Sequence, residues 1–294
     1  MEKLTYREYK NALKMIGISY LGNYSQSAKM VLNETVGHEI TYCLYLAPWT
    51  LAGTVNGRQI NTCIGGTHCH QFCLSNSGRS KIEQLANGIG VSRILQSRIK
   101  KTRLFYSDRE LFMAILCYEL EHTRKYAYSK GCTFSVRLNC TSDISPLAFK
   151  ANGMNILEMY PDVFFYDYSK VPTRLILAAR YPNYDITFSY DGFNWDMCEK
   201  ALNMGVNIAV VFESRVVPAL YKGYHVIDMT KSDLRYKDPK NHNQGFVGFL
   251  EYHRTANDYK NGKYTRPNTP FVVKEDDKNI IYAFREQDEP VNVI

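Results

Sequence analysis

The sequence contains no uninterrupted apolar run of about 18 residues, which argues against a membrane-spanning helix. Its first residues, MEKLTYREYKNALKMIG, lack the charged-then-apolar layout of a secretory signal. They read instead as an amphipathic helix with Leu4, Tyr9, Leu13 and Ile16 near one face, and the expected location is the cytoplasm. There is no internal repeat and no low-complexity tract. No G-x-G-x-x-G follows a strand-like run, so a dinucleotide-binding fold lacks its main signature. Strong charge of either sign is also missing. The net charge of +7 over 294 residues admits an anionic partner such as nucleic acid or a nucleotide without demanding one.

What is abundant is apolar and tyrosine content. Hydrophobic residues make up 45% of the chain, ample for a large core, and 23 tyrosines could line a polar pocket or stack on bases. Short β-rich runs alternate with helical segments. Strands are expected at 40–47, 133–138, 163–166, 186–188, 207–212, 225–227 and 246–251. Helices are expected at 80–102, 108–129 and 195–204. The second starts at a natural N-cap, Asp108, and carries Leu111, Ile115, Leu116 and Leu120 at helical spacing. Runs such as FSVRL, VFFY and NIAVVF are nearly continuous apolar strands, the pattern of a parallel sheet covered on both faces. The expected fold is therefore α/β, a parallel (β/α) barrel or partial barrel, with a doubly wound sheet as the alternative. Residues 1–35 read as an N-terminal helical segment, 36–255 as the barrel-like domain, and 256–294 as an extension with a terminal hairpin (270–273 with 280–284).

Each expected strand ends in a polar burst. VRLNCTSD supplies Arg137, Asn139, Ser142 and Asp143; FFYDYSK supplies Asp167 and Lys170; later ends supply Ser189, Glu213, Asp228 and Asp233. Parallel barrels assemble active sites at these ends. Ordinary turn chemistry would place Asp and Ser there too. Arg137 and Asp167 stand apart, because each interrupts or directly follows an apolar strand, where an unpaired charge is costly.

Eight cysteines occur, and Cys63, Cys69 and Cys73 cluster as C-x5-C-x3-C. A large cytosolic chain with such a cluster points to metal rather than to disulfides. Gly65 and Gly66 would let the loop curl through positive φ. Three thiolates suit a [4Fe-4S] cluster with one iron left open, or zinc with His68 or His70 as fourth ligand; inert loop cysteines and some other redox arrangement are the remaining alternatives. Separately, Arg93, Arg98, Lys100, Lys101 and Arg103 form a basic run that could neutralise phosphates or simply face solvent.

Several of these residues carry a family resemblance. Leu46-Ala47-Pro48, Gly53, the three cysteines, Gly78-Arg79, Val136-Arg137-Leu138-Asn139, Phe165-Tyr166-Asp167-Tyr168-Ser169-Lys170 and Asp228 with Asp233-Leu234-Arg235 resemble a bacteriophage family called gene product 88-like. The cysteine loop after the first strand is more distantly similar to radical S-adenosylmethionine enzymes. That likeness implies a [4Fe-4S] cluster on Cys63, Cys69 and Cys73, S-adenosylmethionine as cofactor, and a nucleotide, nucleic acid or other small polar substrate. Arg137, Asp143, Asp167, Lys170, Ser189 and Asp228 would then carry catalysis, and Asn139, Ser142 and Glu213 would hold the cofactor. The competing expectation is a zinc-stabilised nucleic-acid-binding protein without catalysis.

Overall fold

The structure is a computed structural model that describes residues 3–25, 34–35, 37–66, 68–73, 92–241, 243–253, 259–260, 263–264 and 269–283. The chain divides into two units, Met1–Thr187 with Ser232–Asp238, and Phe188–Lys231 with Pro239–Ile294.

The first unit opens with α1 (Tyr6–Ile16), which starts in a capping box between Thr5 and Glu8 and stops at Gly17 in the left-handed region, φ 71°. Strand β1 (Gly22–Asn23) pairs antiparallel with β2 (Glu39–Leu44). Two consecutive helices follow, α2 (Arg93–Ser107) and α3 (Arg109–Ser129). Asp108 ends the first and caps the second by accepting the Leu111 N–H at 2.9 Å. The expected helix over 80–102 thus runs later, and its residues 80–91 lie outside the described residues. Helix α3 buries Ile115, Leu116 and Leu120 of the stripe its spacing predicts, with Phe112, Met113 and Ala127, whereas Leu111 is only half-buried. Strands β3 (Thr133–Arg137) and β4 (Phe164–Ser169), helix α4 (Thr173–Arg180) and strand β5 (Tyr184–Ser189) complete the unit. The sheet order is β1-β2-β3-β4-β5, with β2–β3 and β3–β4 parallel. Strand β2 is buried at all six positions, as a strand covered on both faces must be.

In the second unit the last residues of β5 pair in parallel with β6 (Ile208–Phe212), reached through helix α5 (Trp195–Asn203). Strands β7 (Leu220–Tyr221), β8 (Tyr224–Asp228), β9 (Val247–Glu251), β10 (Val272–Val273) and β11 (Ile280–Ile281) give the order β6-β9-β8-β7-β11, with β10 also parallel to β6. β9 thus stands between β6 and β8, out of chain order, and β7 is antiparallel to both neighbours. Gly248 of β9 is required where it sits, since a Cβ there would lie 2.0 Å from the Met229 sulfur.

These ladders bear out the α/β class and do not confirm the barrel: among the described residues the fold is mixed α/β with a mostly parallel sheet and no closed barrel. A barrel closes by pairing its first and last parallel strands in chain order; antiparallel β1, β7 and β11 and the displaced β9 do not supply that. The 270–273 and 280–284 runs do not pair with each other either, because β10 joins β6 and β11 joins β7; Phe284 lies outside the described residues. Among the described residues no helix is long and apolar enough to cross a membrane.

The short return segment Ser232–Asp238 belongs to the first unit. Asp233 meets Arg137 of β3 at 2.6 Å, Lys237 meets Glu39 of β2 at 2.6 Å, and the Tyr236 hydroxyl donates to Glu39. Tyr236 also stacks on Phe164, ring centres 5.0 Å apart. Arg137 and Asp233 are mostly buried, so removing one partner strands the other charge. Arg137→Leu or Asp233→Leu alone is expected to lower the unfolding free energy in urea by about 3–5 kcal/mol, and the double variant by less than either. Single variants within about 1 kcal/mol of the parent chain would show that the pair does not hold this segment.

Candidate functional site

The site builds at the carboxyl ends of β2, β3 and β4, where three loops meet. The β3 loop folds on itself: Asn139 accepts the Ser142 hydroxyl at 2.9 Å and the Ile144 N–H at 2.7 Å through Oδ1, and donates from Nδ2 to the Ile144 carbonyl at 2.9 Å. It also reaches the neighbouring strand, donating its backbone N–H and Nδ2 to Asp167, both at 2.8 Å. Asp143 links the β3 and β4 loops. It accepts the Ser169 hydroxyl at 2.7 Å and the Lys170 N–H at 3.0 Å, and lies 3.9 Å from the Arg174 guanidinium of α4.

The cysteine loop docks on this frame. The Asp143 N–H donates to the Thr62 carbonyl at 2.7 Å, and the Thr62 hydroxyl donates to the Ala47 carbonyl at 2.7 Å. The Cys63 sulfur accepts the Trp49 N–H at 3.3 Å and faces the Thr141 carbonyl at 3.9 Å. Burial pushes its thiol up to about 11, so at neutral pH it is protonated and a poor nucleophile. Cys69 opens a 3-10 turn, Cys69–Phe72, and Cys73 follows it. The Trp49 and His70 rings stack at 3.9 Å, and His70 Nε2 is buried with no hydrogen-bond partner. Neither Gly65 nor Gly66 adopts the expected positive φ. Gly65 is needed instead for close approach, because a Cβ there would meet the Lys170 carbonyl group at 2.9 Å; one on Gly66 would meet the Cys69 sulfur at 3.1 Å. Lys170 therefore contributes its backbone to the loop's seat.

Among the described residues, no three His, Cys, Asp or Glu side chains converge closely enough to hold a metal ion. Cys63, Cys69 and Cys73 share one loop and one neighbourhood without forming a coordination polyhedron. Two further cysteines, which spacing did not single out, lie at the same strand ends. Cys140 donates its N–H to the Leu44 carbonyl at 3.2 Å and its thiol to the Arg137 carbonyl at 3.7 Å. Cys43, on β2 beside Arg137, is held protonated by its hydrogen bond with Cys140 and by burial. Only the pairing register reveals this, since the two are far apart in sequence.

Asp143, Asn139, Ser142, Asp167, Lys170 and Arg137 thus fall in the first unit. Ser189, Glu213 and Asp228 lie in the second. There the Ser189 carbonyl accepts from Asn194 at 3.0 Å, Glu213 accepts the Glu275 N–H at 3.2 Å, and Asp228 caps its own turn by accepting the Thr230 N–H at 2.8 Å. The basic run on α2 is only partly a surface: Lys101 is buried with its ammonium 4.6 Å from the Tyr20 ring centre, and Arg98 lies over Tyr45 at 5.3 Å. Burial pulls Lys101 down to about 8.

Asp167 is the group with the clearest acid–base character. It is 1% exposed, and burial raises its pKa from the ordinary 3.8 to about 7 against the pull of the Asn139 hydrogen bonds. It can exchange a proton near neutrality. The unfolded chain loses that proton near 3.8 and the folded chain near 7, so the stabilisation is complete below 3.8 and lost as the pH rises through 7. In urea titrations the unfolding free energy should fall with rising pH over this window, by at most about 1.4 kcal/mol per pH unit. Asp167→Asn should remove that part of the slope. An unchanged slope in the variant would show that Asp167 is ionised throughout.

Comparison with known proteins adds one relation. The family model for gene product 88 matches residues 22–262. No curated protein and no solved structure matches the chain. The match takes in β1 through β9 and every strand-end residue named above, and on that extent the chain belongs to the bacteriophage gene product 88 family.

Proposed function

We propose that the protein is a metalloprotein in which Cys63, Cys69 and Cys73 hold a soft metal centre, a [4Fe-4S] cluster in the first instance, beside the strand ends of the first unit. The observation that carries this reading is the seat of Cys63. Its sulfur is half-buried, accepts the Trp49 N–H at 3.3 Å and sits where the cysteine loop docks on the strand ends. The donor set suits the group: three soft sulfurs in one loop, with the unpartnered His70 Nε2 alongside. Coordination would still require Cys69 and Cys73 to turn towards Cys63, because the three do not converge as they stand.

Bound there, a three-thiolate cluster would leave one iron open to S-adenosylmethionine and supply electron transfer. The chain's own part is positional. Asp167 holds or releases a proton near pH 7, Asn139 fixes its orientation, and Asp143 ties the Ser169–Lys170 corner to the cysteine loop. The substrate in this reading is a small polar molecule or a nucleotide taken up at the strand ends.

The test is metal analysis after oxygen-free purification from cells competent in cluster assembly. A brown protein with iron and sulfide in equal amounts is expected, and Cys63→Ser, Cys69→Ser and Cys73→Ser should each lose it while Cys117→Ser keeps it. Zinc without sulfide would retain the metal centre and eliminate the cluster. A folded, metal-free chain would eliminate both.

A further inference from the structure

A second concave feature lies in the first unit, away from the cysteine loop. Helix α1, the β1 segment and α3 enclose a cleft of about 260 Å³ whose walls are Tyr6, Tyr9, Tyr20, Tyr24, Tyr118 and His122. Its aromatic wall is ordered. Tyr9 stacks on Tyr118 with ring centres 4.3 Å apart, and the Tyr118 and His122 rings are parallel within 5°. One helical turn further along α3, Tyr126 stacks on Tyr24 at 5.1 Å. Tyr118, His122 and Tyr126 therefore form an i, i+4, i+8 stripe.

The floor of the cleft is a buried carboxylate that has no accepting capacity to spare. Glu119 takes the hydroxyls of Tyr9 (2.9 Å) and Tyr42 (2.6 Å) and the N–H groups of Leu21 (2.8 Å) and Gly22 (2.9 Å). The exposed side of α1 that carries Lys10 is cationic. At about 100° per residue, Arg7, Lys10 and Lys14 fall within roughly 60° of arc on α1, next to Tyr6, and all three are exposed. Lys10 lies over the Tyr6 ring at 5.7 Å and itself lines the cleft.

The geometry points to a binding site for single-stranded nucleic acid, one base entering the tyrosine cleft and the phosphates running along Arg7, Lys10 and Lys14. Flat rings with a basic edge are the combination that such strands require, stacking supplying the base affinity and cations the backbone affinity. A cationic ligand is disfavoured, because Lys10 guards the mouth and Lys101 already stands on the Tyr20 face. The volume suits one base and not a larger ligand of the usual 300 Å³ or more. This inference goes beyond the metal reading and does not depend on it, since no cysteine of the loop lines the cleft.

Fluorescence anisotropy of the full chain with labelled oligothymidylate tests it, across a salt series, against a duplex of equal length and against thymidine monophosphate. The expected result is salt-dependent binding of the single strand, weaker for the duplex and much weaker for the mononucleotide. Tyr6→Ala with His122→Ala should weaken the single strand about ten-fold without changing the salt slope. Both side chains are exposed, so the fold should be kept, and circular dichroism is the check. Lys10→Glu with Lys14→Glu should weaken it and flatten the slope, whereas Lys150→Glu, exposed elsewhere on the unit, should do neither. No strand binding at low salt, equal affinity for the duplex or the mononucleotide, or indifference to the ring variant would each overturn the assignment. The Cys63→Ser chain should bind as tightly as the parent, which separates this outcome from that of the metal test.

Discussion

The contact between Arg137 and Asp233 is the constraint on which the first unit depends. Arg137 sits at the end of a strand whose buried positions are Phe134, Ser135 and Val136, none of them charged, and the guanidinium cannot shed its charge to fit there. Desolvation is the largest influence and opposes its charged form, but the Asp233 carboxylate 2.6 Å away, together with Cys140, Tyr168 and Tyr166, outweighs it and holds the pKa above the usual arginine value. The carboxylate comes from a segment some 96 residues on in the chain. The charge on β3 thus dictates where Ser232–Asp238 must lie. Once Asp233 is fixed, Leu234 is buried, Tyr236 reaches Phe164, and Lys237 neutralises the fully buried Glu39. One unavoidable cation organises a run of contacts that no apolar pattern would specify.

The same logic governs the strand ends. Parallel strands finish with unpaired backbone groups, and the loops after β3 and β4 satisfy several of them with their own and each other's side chains. Asn139 serves both loops at once, closing its own turn and holding Asp167. Two hydrogen bonds at 2.8 Å are not enough to keep a carboxylate ionised at 1% exposure, and the pKa near 7 records the shortfall. The frame is rigid because it is satisfied, and Asp167 is chemically responsive because its satisfaction is incomplete.

Much of this was legible in the sequence and some was not, for physical reasons. Apolar runs bounded by turns located β2 to β6, β8 and β9 closely, since burial on both faces leaves a compositional mark. Closure of the sheet left none: a strand–helix rhythm is the same in an open sheet and in a barrel, and the antiparallel strands β1, β7 and β11 are two residues each, too short to show a period. Arg137 and Asp167 stood out because isolated charges in apolar strands are rare. Their partners did not, because pairing at such distances along the chain has no local signal. Gly65 was rightly marked as special for the wrong reason, a close approach to Lys170 instead of a left-handed turn. Cys43 and Cys140 were passed over because only the β2–β3 register makes them neighbours.

Charge counting along a chain misleads in the same way. The densest basic run, on α2, is the obvious place to seek an anion, yet the fold consumes much of it. Arg98 lies on Tyr45, Lys101 on Tyr20, the Arg103 Nε donates to the Ala52 carbonyl at 2.9 Å, and Lys100 Nζ to the Gly17 carbonyl at 3.0 Å. A cation bound to a carbonyl or a ring face still contributes field, but it must give up that contact before it can grip a phosphate. The three cations of α1 are fewer, and they are spaced to share one exposed side of the helix. What decides the anion-facing surface is therefore where the fold holds its cations: Tyr20 and Tyr45 draw Lys101 and Arg98 inward, whereas Lys10 lies over the exposed Tyr6 ring and stays, with Arg7 and Lys14, on the outer side of α1.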